Sequence, residues 1–278
     1  MALRGTPVRE AIASAVIAIE ASGSLTPRLD AELLLADALE VDRAALLIDP
    51  DREVEGNAGR AFRDAVRRRS ALREPVAYIL GRQAFRYIEL QVDPRVLIPR
   101  PETELLVEAA LDLPEGARVV DVGAGSGAVA LALKHERPDL HVSGTDASAE
   151  ALEVARANGE RLELEVEWAQ GDLLDGLGSD WDAVLANLPY VAEPDRDSLG
   201  PEIVDHEPEV ALIAGADGLG AIRRLIPAAA ATRARLLALE IGMGQAPAVA
   251  TLVAEGGFAD VETRRDLAGI ERVVVGRR

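Results

Sequence analysis

The stretch Arg118-Val-Val-Asp-Val-Gly-Ala-Gly-Ser-Gly127 decides the fold, because it joins a buried strand to a glycine-rich turn. Val119–Val122 is an apolar run of strand length, and Ala128–Lys134 continues the chain with a helical pattern. Glycines let the turn backbone approach a ligand closely, and the helix N-terminus that follows offers free N–H donors. The stretch therefore predicts the first β-α unit of an α/β domain, with a ligand at the turn.

The alternation of strands and helices continues from this unit to the end of the chain. Further strands are predicted at 141–145, 164–169, 181–187 and 235–241, and a closing hairpin at 258–263 and 271–276. Helices are predicted at 149–158, 221–231 and 246–255. This order indicates a Rossmann-like α/β fold with a mostly parallel seven-stranded sheet, in which one strand runs antiparallel.

Acidic residues follow the second and third strands of the predicted sheet. Asp146 ends the second strand, 19 residues after Gly127, where a carboxylate suits a ribose diol. Asp172 follows the third strand and is placed for an adenine amino group. Gly123, Gly125 and Ala128 also match the dinucleotide fingerprint, but no second mononucleotide-binding half follows. The pattern favours an adenosine-bearing cofactor other than NAD.

The fourth strand ends on the tetrapeptide Asn187-Leu-Pro-Tyr190. Asn187 Oδ1 and the Leu188 carbonyl are adjacent acceptors, so together they can hold both N–H groups of a planar amino group. Pro189 stops further ladder pairing, and Tyr190 offers an aromatic face. The alternative interpretation is an ordinary polar turn after a strand.

Composition excludes several classes of protein. The chain has 278 residues, a net charge of −18 and no cysteine, so thiol catalysis, disulfides and zinc–thiolate sites are excluded. Its three histidines lack metal-ligand spacing, and no metal is predicted. Residues 81–278 hold 19 Lys and Arg against 35 Asp and Glu, a balance of −16, which argues against a large nucleic-acid footprint but leaves room for a local basic patch. No signal peptide or membrane span is evident, so we expect a cytoplasmic protein without a membrane partner.

The chain is predicted to contain three parts. Residues 1–80 are a helical module, in which Thr6-Pro7 and Thr26-Pro27 are helix-start signals. Residues 81–98 form a linking β-hairpin, and residues 99–278 form the α/β domain. The stiff Pro-Arg-Pro segment after Ile98 either aims Arg100 and Glu102 into a cleft or only starts a helix rigidly.

Taken together, these features resemble class I S-adenosylmethionine-dependent methyltransferases, and most closely the PrmC/HemK family. That family methylates the glutamine of the Gly-Gly-Gln motif in peptide-chain release factors on its side-chain nitrogen. The resemblance covers nearly the whole chain, and its motifs are Ile98–Glu104, Asp121–Gly127, Asp146, Asn187–Tyr190 and His206-Glu-Pro208. It implies S-adenosyl-L-methionine as cofactor, S-adenosyl-L-homocysteine as product, release factors as partners, and residues 1–80 as the docking domain.

The resemblance also assigns the site residues. The implied cofactor-binding residues are Gly123, Ala124, Gly125, Ser126, Gly127, Asp146, Asp172, Leu173 and Asn187. The implied catalytic residues are Asn187, Leu188, Pro189 and Tyr190, and the same four residues with Arg100 and Glu102 are expected to bind substrate.

Two departures from the family pattern leave alternatives open. Leu188 stands where the family usually has proline, which costs rigidity but keeps the carbonyl acceptor. Leu173 stands where some members carry an aromatic residue. Asn-Leu-Pro-Tyr also resembles the motif of rRNA adenine dimethyltransferases, so an adenine N6-methyltransferase acting on rRNA or DNA is one alternative. A non-catalytic protein-binding module on the same fold is another.

Overall fold

The computed structural model describes residues 5–278, and this part of the chain divides into two compact units. The first unit comprises the described residues up to Gly81 together with Pro201–His206, and the second comprises Arg82–Gly200 and Glu207–Arg278. Two features of this division were not predicted: the hairpin groups with the α/β part, and six residues near 200 group with the helical part. In the described range, no helix is both long enough and apolar enough to cross a bilayer.

The first unit is a small helical bundle with an apolar interior. Its elements are a strand Thr6–Pro7 (β1), helices Val8–Ala21 (α1), Pro27–Ala38 (α2) and Arg43–Ile48 (α3), a strand Glu53–Val54 (β2), and helices Gly56–Ala71 (α4) and Val76–Leu80 (α5). Thr26-Pro27 starts α2 as predicted, with proline at the first helical position. Thr6-Pro7 was predicted to start a helix in the same way, but Pro7 pairs with β2 and α1 begins at Val8.

Charged residues inside the first unit are paired. Arg69 Nε donates to Asp30 Oδ2 at 2.7 Å, and both side chains are buried. Arg73 Nη2 lies 2.6 Å from Glu202 Oε2, and His206 Nε2 lies 2.8 Å from the Leu72 carbonyl oxygen. These contacts fix the segment Pro201–His206 in the helical unit.

The second unit is built on a seven-stranded sheet. It begins with the hairpin of Arg82–Phe85 (β3) and Ile88–Gln91 (β4). The sheet strands are Arg118–Val122 (β5), His141–Asp146 (β6), Glu167–Gln170 (β7), Ala183–Ala186 (β8), Leu236–Glu240 (β9), Asp260–Arg265 (β10) and Glu271–Arg277 (β11). Its helices are Glu104–Ala110 (α6), Ala128–Glu136 (α7), Ala149–Leu162 (α8), Gly220–Ala230 (α10) and Ala246–Glu255 (α11). The short helix Pro201–Val204 (α9) comes between α8 and α10 along the chain but belongs to the first unit. Three 3₁₀ helices occupy Pro101–Thr103, Glu193–Ser198 and Glu209–Ala211.

The strand order is β10-β11-β9-β8-β5-β6-β7, and only β11 runs against its neighbours within this sheet. The predicted fold is therefore confirmed, including the closing hairpin. β7 begins three residues later than predicted, at Glu167. All four residues of β8 are buried, which is typical of a parallel strand covered on both faces.

The topology fixes where a ligand can bind. From β5 the chain proceeds outward through β6 and β7, then returns to the other side of β5 for β8 and β9. β5 and β8 are thus neighbours at a topological switch point, and ligands of open α/β sheets bind beyond the carboxyl ends of the strands at such a point.

Candidate active site

A cavity of about 330 Å³ opens at the switch point, and every residue that lines it belongs to the second unit. Ten predicted site residues lie in its wall: Gly123, Ala124, Gly125, Ser126, Asp146, Asp172, Leu173, Asn187, Leu188 and Pro189. A wider groove of about 640 Å³ runs along β6 and β7, and its described lining contains none of the predicted site residues. The smaller cavity is therefore the candidate active site.

The glycine turn after β5 is held against β6 by backbone hydrogen bonds. Gly123 N and Ala124 N both donate to the Thr145 carbonyl oxygen, at 2.8 and 2.9 Å. Gly123 and Gly125 have φ values of 77° and 55°, in the left-handed region that favours glycine. A Cβ on Gly125 would meet no atom within 4 Å, so this position faces open space.

Gly127 is predicted to bind cofactor, but it is not among the described residues that line the cavity. A Cβ on Gly127 would lie 2.9 Å from Leu131 Cδ1 and 2.9 Å from Trp168 Cη2. The absence of a side chain here therefore allows α7 to pack closely on the sheet, whatever Gly127 contributes to a ligand.

Asp146 is oriented by two backbone donors. Its Oδ2 accepts a hydrogen bond from Gly125 N at 2.9 Å, and its Oδ1 accepts one from Ser148 N at 2.8 Å. The Ser148 hydroxyl oxygen in turn caps α8 by accepting from Ala151 N at 3.1 Å. Each carboxylate oxygen keeps lone pairs free, so Asp146 can accept from two vicinal hydroxyl groups.

Asp172 and Leu173 are consecutive residues in the cavity wall. The Asp172 carboxylate accepts a hydrogen bond from Arg224 Nη2, and both residues line the wall. The pair is more than half exposed, so it adds little stability. Leu173 has φ = 55°, an uncommon conformation for a branched residue and one that marks functional sites.

Asp121 lies under the glycine turn. Its Oδ2 accepts from Ala130 N at 3.1 Å, and the side chain is buried. Burial raises the pKa of Asp121 to about 7, and the nearby Asp146 carboxylate adds to the rise. The first strand of the site therefore holds a carboxyl group that titrates near neutral pH.

Asn187 follows directly after β8 and lines the cavity. Its Nδ2 donates to Thr103 Oγ1 at 3.2 Å, while its Oδ1 accepts no hydrogen bond from the residues that the structure describes. The Leu188 side chain belongs to the core, and its Cδ2 would lie 3.1 Å from a Cβ on Gly123. Leu188 thus anchors the turn through its side chain.

Three predicted substrate residues, Tyr190, Arg100 and Glu102, are absent from the described cavity lining. The Tyr190 carbonyl oxygen accepts from Gln245 Nε2 at 2.9 Å. Arg100 Nη2 donates to the buried carboxylate of Glu207. Glu102 Oε1 lies 4.0 Å from Arg272 Nη2. These side chains lie beside the cavity, and their part in substrate binding stays a prediction.

Sequence reasoning gave no individual role to several lining or neighbouring residues. Thr103 and Arg224 line the cavity, as do Pro208, Val210 and Ala211 from the connection after β8. Glu240 ends β9, next to the end of β8, and is only 2% exposed. The polar ends of two adjacent strands were a usable signal for Glu240, whereas Arg224 looks like any charged residue on a helix surface.

The strand order and the cavity define the class of S-adenosylmethionine-dependent methyltransferases. The family described as "Methyltransferase small domain" matches residues 101–215, and the "PrmC N-terminal domain" matches residues 10–81. A solved methyltransferase structure from Pyrococcus furiosus covers 68% of this chain and 87% of that chain, with a TM-score of 0.50 at 16% identity, and supports the fold alone.

The chain belongs to the release factor glutamine methyltransferase family. A relative of that name from Caulobacter vibrioides is 43% identical over 258 residues, which are 90% of this chain and 89% of the relative. Another from Coxiella burnetii is 42% identical over 262 residues, covering 92% and 93%. The resemblance inferred from the motifs is thereby confirmed.

Proposed function

We propose that this chain transfers a methyl group from S-adenosyl-L-methionine to the side-chain amide nitrogen of the glutamine in the Gly-Gly-Gln motif of peptide-chain release factors. The observation that supports this most directly is Asn187, whose Nδ2 is engaged by Thr103 so that Oδ1 is left for a ligand in the cavity. The names of relatives about 40% identical over most of the chain support the same substrate.

The residues in the cavity fit an adenosine-bearing methyl donor. Asp146 has acceptor capacity left for a ribose diol, and Gly125 leaves open space beside it. Asp172 offers an acceptor for an adenine amino group, and Leu173 offers an apolar contact. When bound, S-adenosylmethionine supplies an electrophilic methyl group on a sulfonium.

The Asn187 turn would hold the glutamine amide. A primary amide carries two N–H donors, and Asn187 Oδ1 with the Leu188 carbonyl provides two acceptors in succession. An amide nitrogen is a weak nucleophile because its lone pair is delocalised. The main contribution of the protein to the rate is therefore to fix the position of this nitrogen. Proximity and orientation supply about 7–11 kcal/mol in the best cases.

Proton removal needs no strong base. The N-methylated amide is strongly acidic while it carries the extra proton, so water or a nearby acceptor takes that proton. Tyr190 does not serve as the base near neutral pH, because burial, together with the nearby Glu240 carboxylate, raises its pKa to about 12. We keep for Tyr190 the role of packing beside the amide, and for residues 1–80 the role of docking the release factor.

The proposal is tested with labelled S-adenosylmethionine and three acceptors: a release factor, its Gly-Gly-Gln glutamine→alanine variant, and rRNA. We expect label in the release factor alone, and mass spectrometry should place one methyl group on the glutamine side chain. Label in the alanine variant or in rRNA would overturn the proposal and favour another acceptor.

A further inference from the structure

Three polar side chains from separate parts of the second unit meet at the cavity: Asn187 and Thr103 line it, and the buried Glu240 lies next to them. β8 and β9 are parallel neighbours, and Ala186 pairs with Leu239. The next residues, Asn187 just after β8 and Glu240 at the end of β9, therefore lie side by side. Thr103 comes from the 3₁₀ helix Pro101–Thr103 and is 3% exposed.

The hydrogen bonds among these side chains have a defined direction. Asn187 Nδ2 donates to Thr103 Oγ1 at 3.2 Å, and the Thr103 side chain lies near enough to the Glu240 carboxylate for a hydrogen bond to lower the pKa of that carboxyl. A hydroxyl group has a single proton, and a carboxylate can only accept. Thr103 therefore donates to Glu240 and accepts from Asn187, so the chain runs from Asn187 through Thr103 to Glu240. This direction turns Asn187 Oδ1 away from Thr103.

We propose that Glu240, acting through Thr103, sets which atom of the Asn187 amide faces the cavity, and that both are positioning residues for capture of the substrate amide. The inference rests on the proposed function. With Glu240 as a carboxylate, Oδ1 faces the cavity and accepts a substrate N–H. With Glu240 protonated, its O–H donates to Thr103, the Thr103 proton turns toward Asn187, and the Asn187 amide reverses. Nδ2 then faces the substrate N–H groups, which it cannot accept.

The surroundings of Glu240 suit such a switch near neutral pH. The pKa of Glu240 is raised to about 7, mainly by burial and also by the nearby Glu102, while the Thr103 hydrogen bond, Arg272 and Arg100 oppose the rise. Tyr190 is a further ionisable neighbour, and it stays protonated near neutral pH because its pKa is raised to about 12. Glu240 Oε2 is buried and has no hydrogen-bond partner in the described part of the chain. A carboxylate with one orphaned oxygen is readily protonated.

The first test removes the hydroxyl group. Thr103→Val should lower the single-turnover rate of glutamine methylation at least about tenfold, because the Asn187 amide loses its orientation. Thr103→Ser should recover the rate to within about threefold of wild type, because the hydroxyl is restored. The affinity for S-adenosylhomocysteine should stay within about twofold in both variants, because the Thr103 side chain makes its hydrogen bond to Asn187 rather than to the glycine turn or Asp146. The exposed Thr251→Val is the matched control.

The second test replaces the titratable side chain of Glu240. The wild-type rate should fall on the acid side with an apparent pKa near that of Glu240, about 7. Glu240→Gln should flatten this acid limb, because the glutamine side chain is neutral throughout the range, while the exposed Glu255→Gln should keep it. Thermal melting and product affinity report whether each variant is folded. If Thr103→Val does not fold, the pH profile of Glu240→Gln decides.

The outcomes separate the two proposals. If wild-type protein does not methylate the release factor glutamine, the proposed function fails. If wild type is active and Thr103→Val methylates at the same rate, the proposed positioning of Asn187 by Thr103 and Glu240 is wrong. The same holds if Glu240→Gln keeps the fall in rate at acid pH. If Thr103→Val lowers the methylation rate and Thr103→Ser does not restore it, the positioning role is also contradicted. A general structural defect at residue 103 would then explain the lower rate without the hydroxyl group.

Discussion

The two sides of the cavity are built in different ways. The turn side, defined as residues 123–127 with Asp146, uses backbone N–H groups, and its carboxylate has a donor on each oxygen. The Asn187 side, defined as Thr103, Asn187 and Glu240, uses side chains, and one oxygen of its carboxylate has no hydrogen-bond partner within residues 5–278. The first arrangement provides a rigid cradle, while the second holds an amide whose orientation depends on a proton.

Because the two sides are built differently, changes in them should affect different measured quantities. Groups on the turn side are set before any ligand arrives, so changes there should appear mainly in cofactor binding. Groups on the Asn187 side act on the nitrogen that receives the methyl group, so changes there should appear mainly in rate. The predictions below test this separation, beginning with the largest expected effect.

The largest effect is expected for Asn187→Ala. Removing the acceptor that fixes the amide should lower the single-turnover rate about 10²–10³-fold, the range found when one positioned hydrogen-bonding group is removed from an active site. The affinity for S-adenosylhomocysteine, measured by titration calorimetry, should change little. Comparable losses in rate and in affinity would contradict the prediction that the Asn187 side acts mainly on the rate.

Asp146→Asn should show the opposite pattern. Losing charge-assisted hydrogen bonds costs about 1.5–3 kcal/mol, so the dissociation constant of S-adenosylhomocysteine should rise about 10–100-fold. The rate at saturating S-adenosylmethionine should fall much less than in Asn187→Ala. Product titration and single-turnover kinetics on the same samples check both parts, and an unchanged dissociation constant would contradict the role of Asp146.

Gly127→Ala should reveal whether this glycine serves packing or binding. The new Cβ would crowd Leu131 and Trp168 at 2.9 Å, and φ is 84°, so we expect a loss of about 2–3 kcal/mol in the free energy of unfolding. The control Gly176→Ala has φ = 76° but meets no atom within 4 Å, so it isolates the backbone strain. Equal losses of stability in the two variants would exclude the packing role.

The smallest effect is expected for Asp121→Asn, and it depends on pH. Because burial raises the pKa of Asp121 to about 7, its protonated form favours the folded state, and this stability is lost as pH rises through that value. Wild type should therefore lose about 1–2 kcal/mol between pH 6 and pH 8 from this group, and Asp121→Asn should lose less. Denaturant unfolding at both pH values measures the difference, with the exposed Asp260→Asn as control. Identical slopes in the three proteins would contradict the shifted pKa.

The turn side could be predicted from the sequence because its determinants are local. The glycines lie in one turn and Asp146 ends the next strand, so strand periodicity and a short motif were sufficient to bring them together. The same local signals placed the start of α1 one residue too early, because Pro7 pairs with β2 and the helix begins at Val8. They also misplaced the start of β7, where residues before Glu167 have strand-like composition but no ladder partner in the described sheet.

The Asn187 side could be predicted only in part. Asn187 and Leu188 stand out because proline follows the end of a strand. The partners of Asn187 do not stand out, because Thr103 and Glu240 are brought to it by strand order and by a 3₁₀ helix rather than by spacing along the chain. Arg100 was predicted either to face a cleft or to belong only to a rigid helix entry, and its guanidinium is engaged by the buried carboxylate of Glu207. Glu207 lies in the motif His206-Glu-Pro208, but nothing in the sequence shows that this motif supplies the partner of Arg100.

The most direct test of the central claim is a crystal structure of the protein with S-adenosylhomocysteine and a Gly-Gly-Gln peptide. The account predicts that the glutamine amide nitrogen lies about 3 Å from both Asn187 Oδ1 and the Leu188 carbonyl oxygen, with Asn187 Nδ2 still donating to Thr103. A glutamine bound elsewhere in the cavity, or an Asn187 amide whose nitrogen faces the peptide, would contradict it.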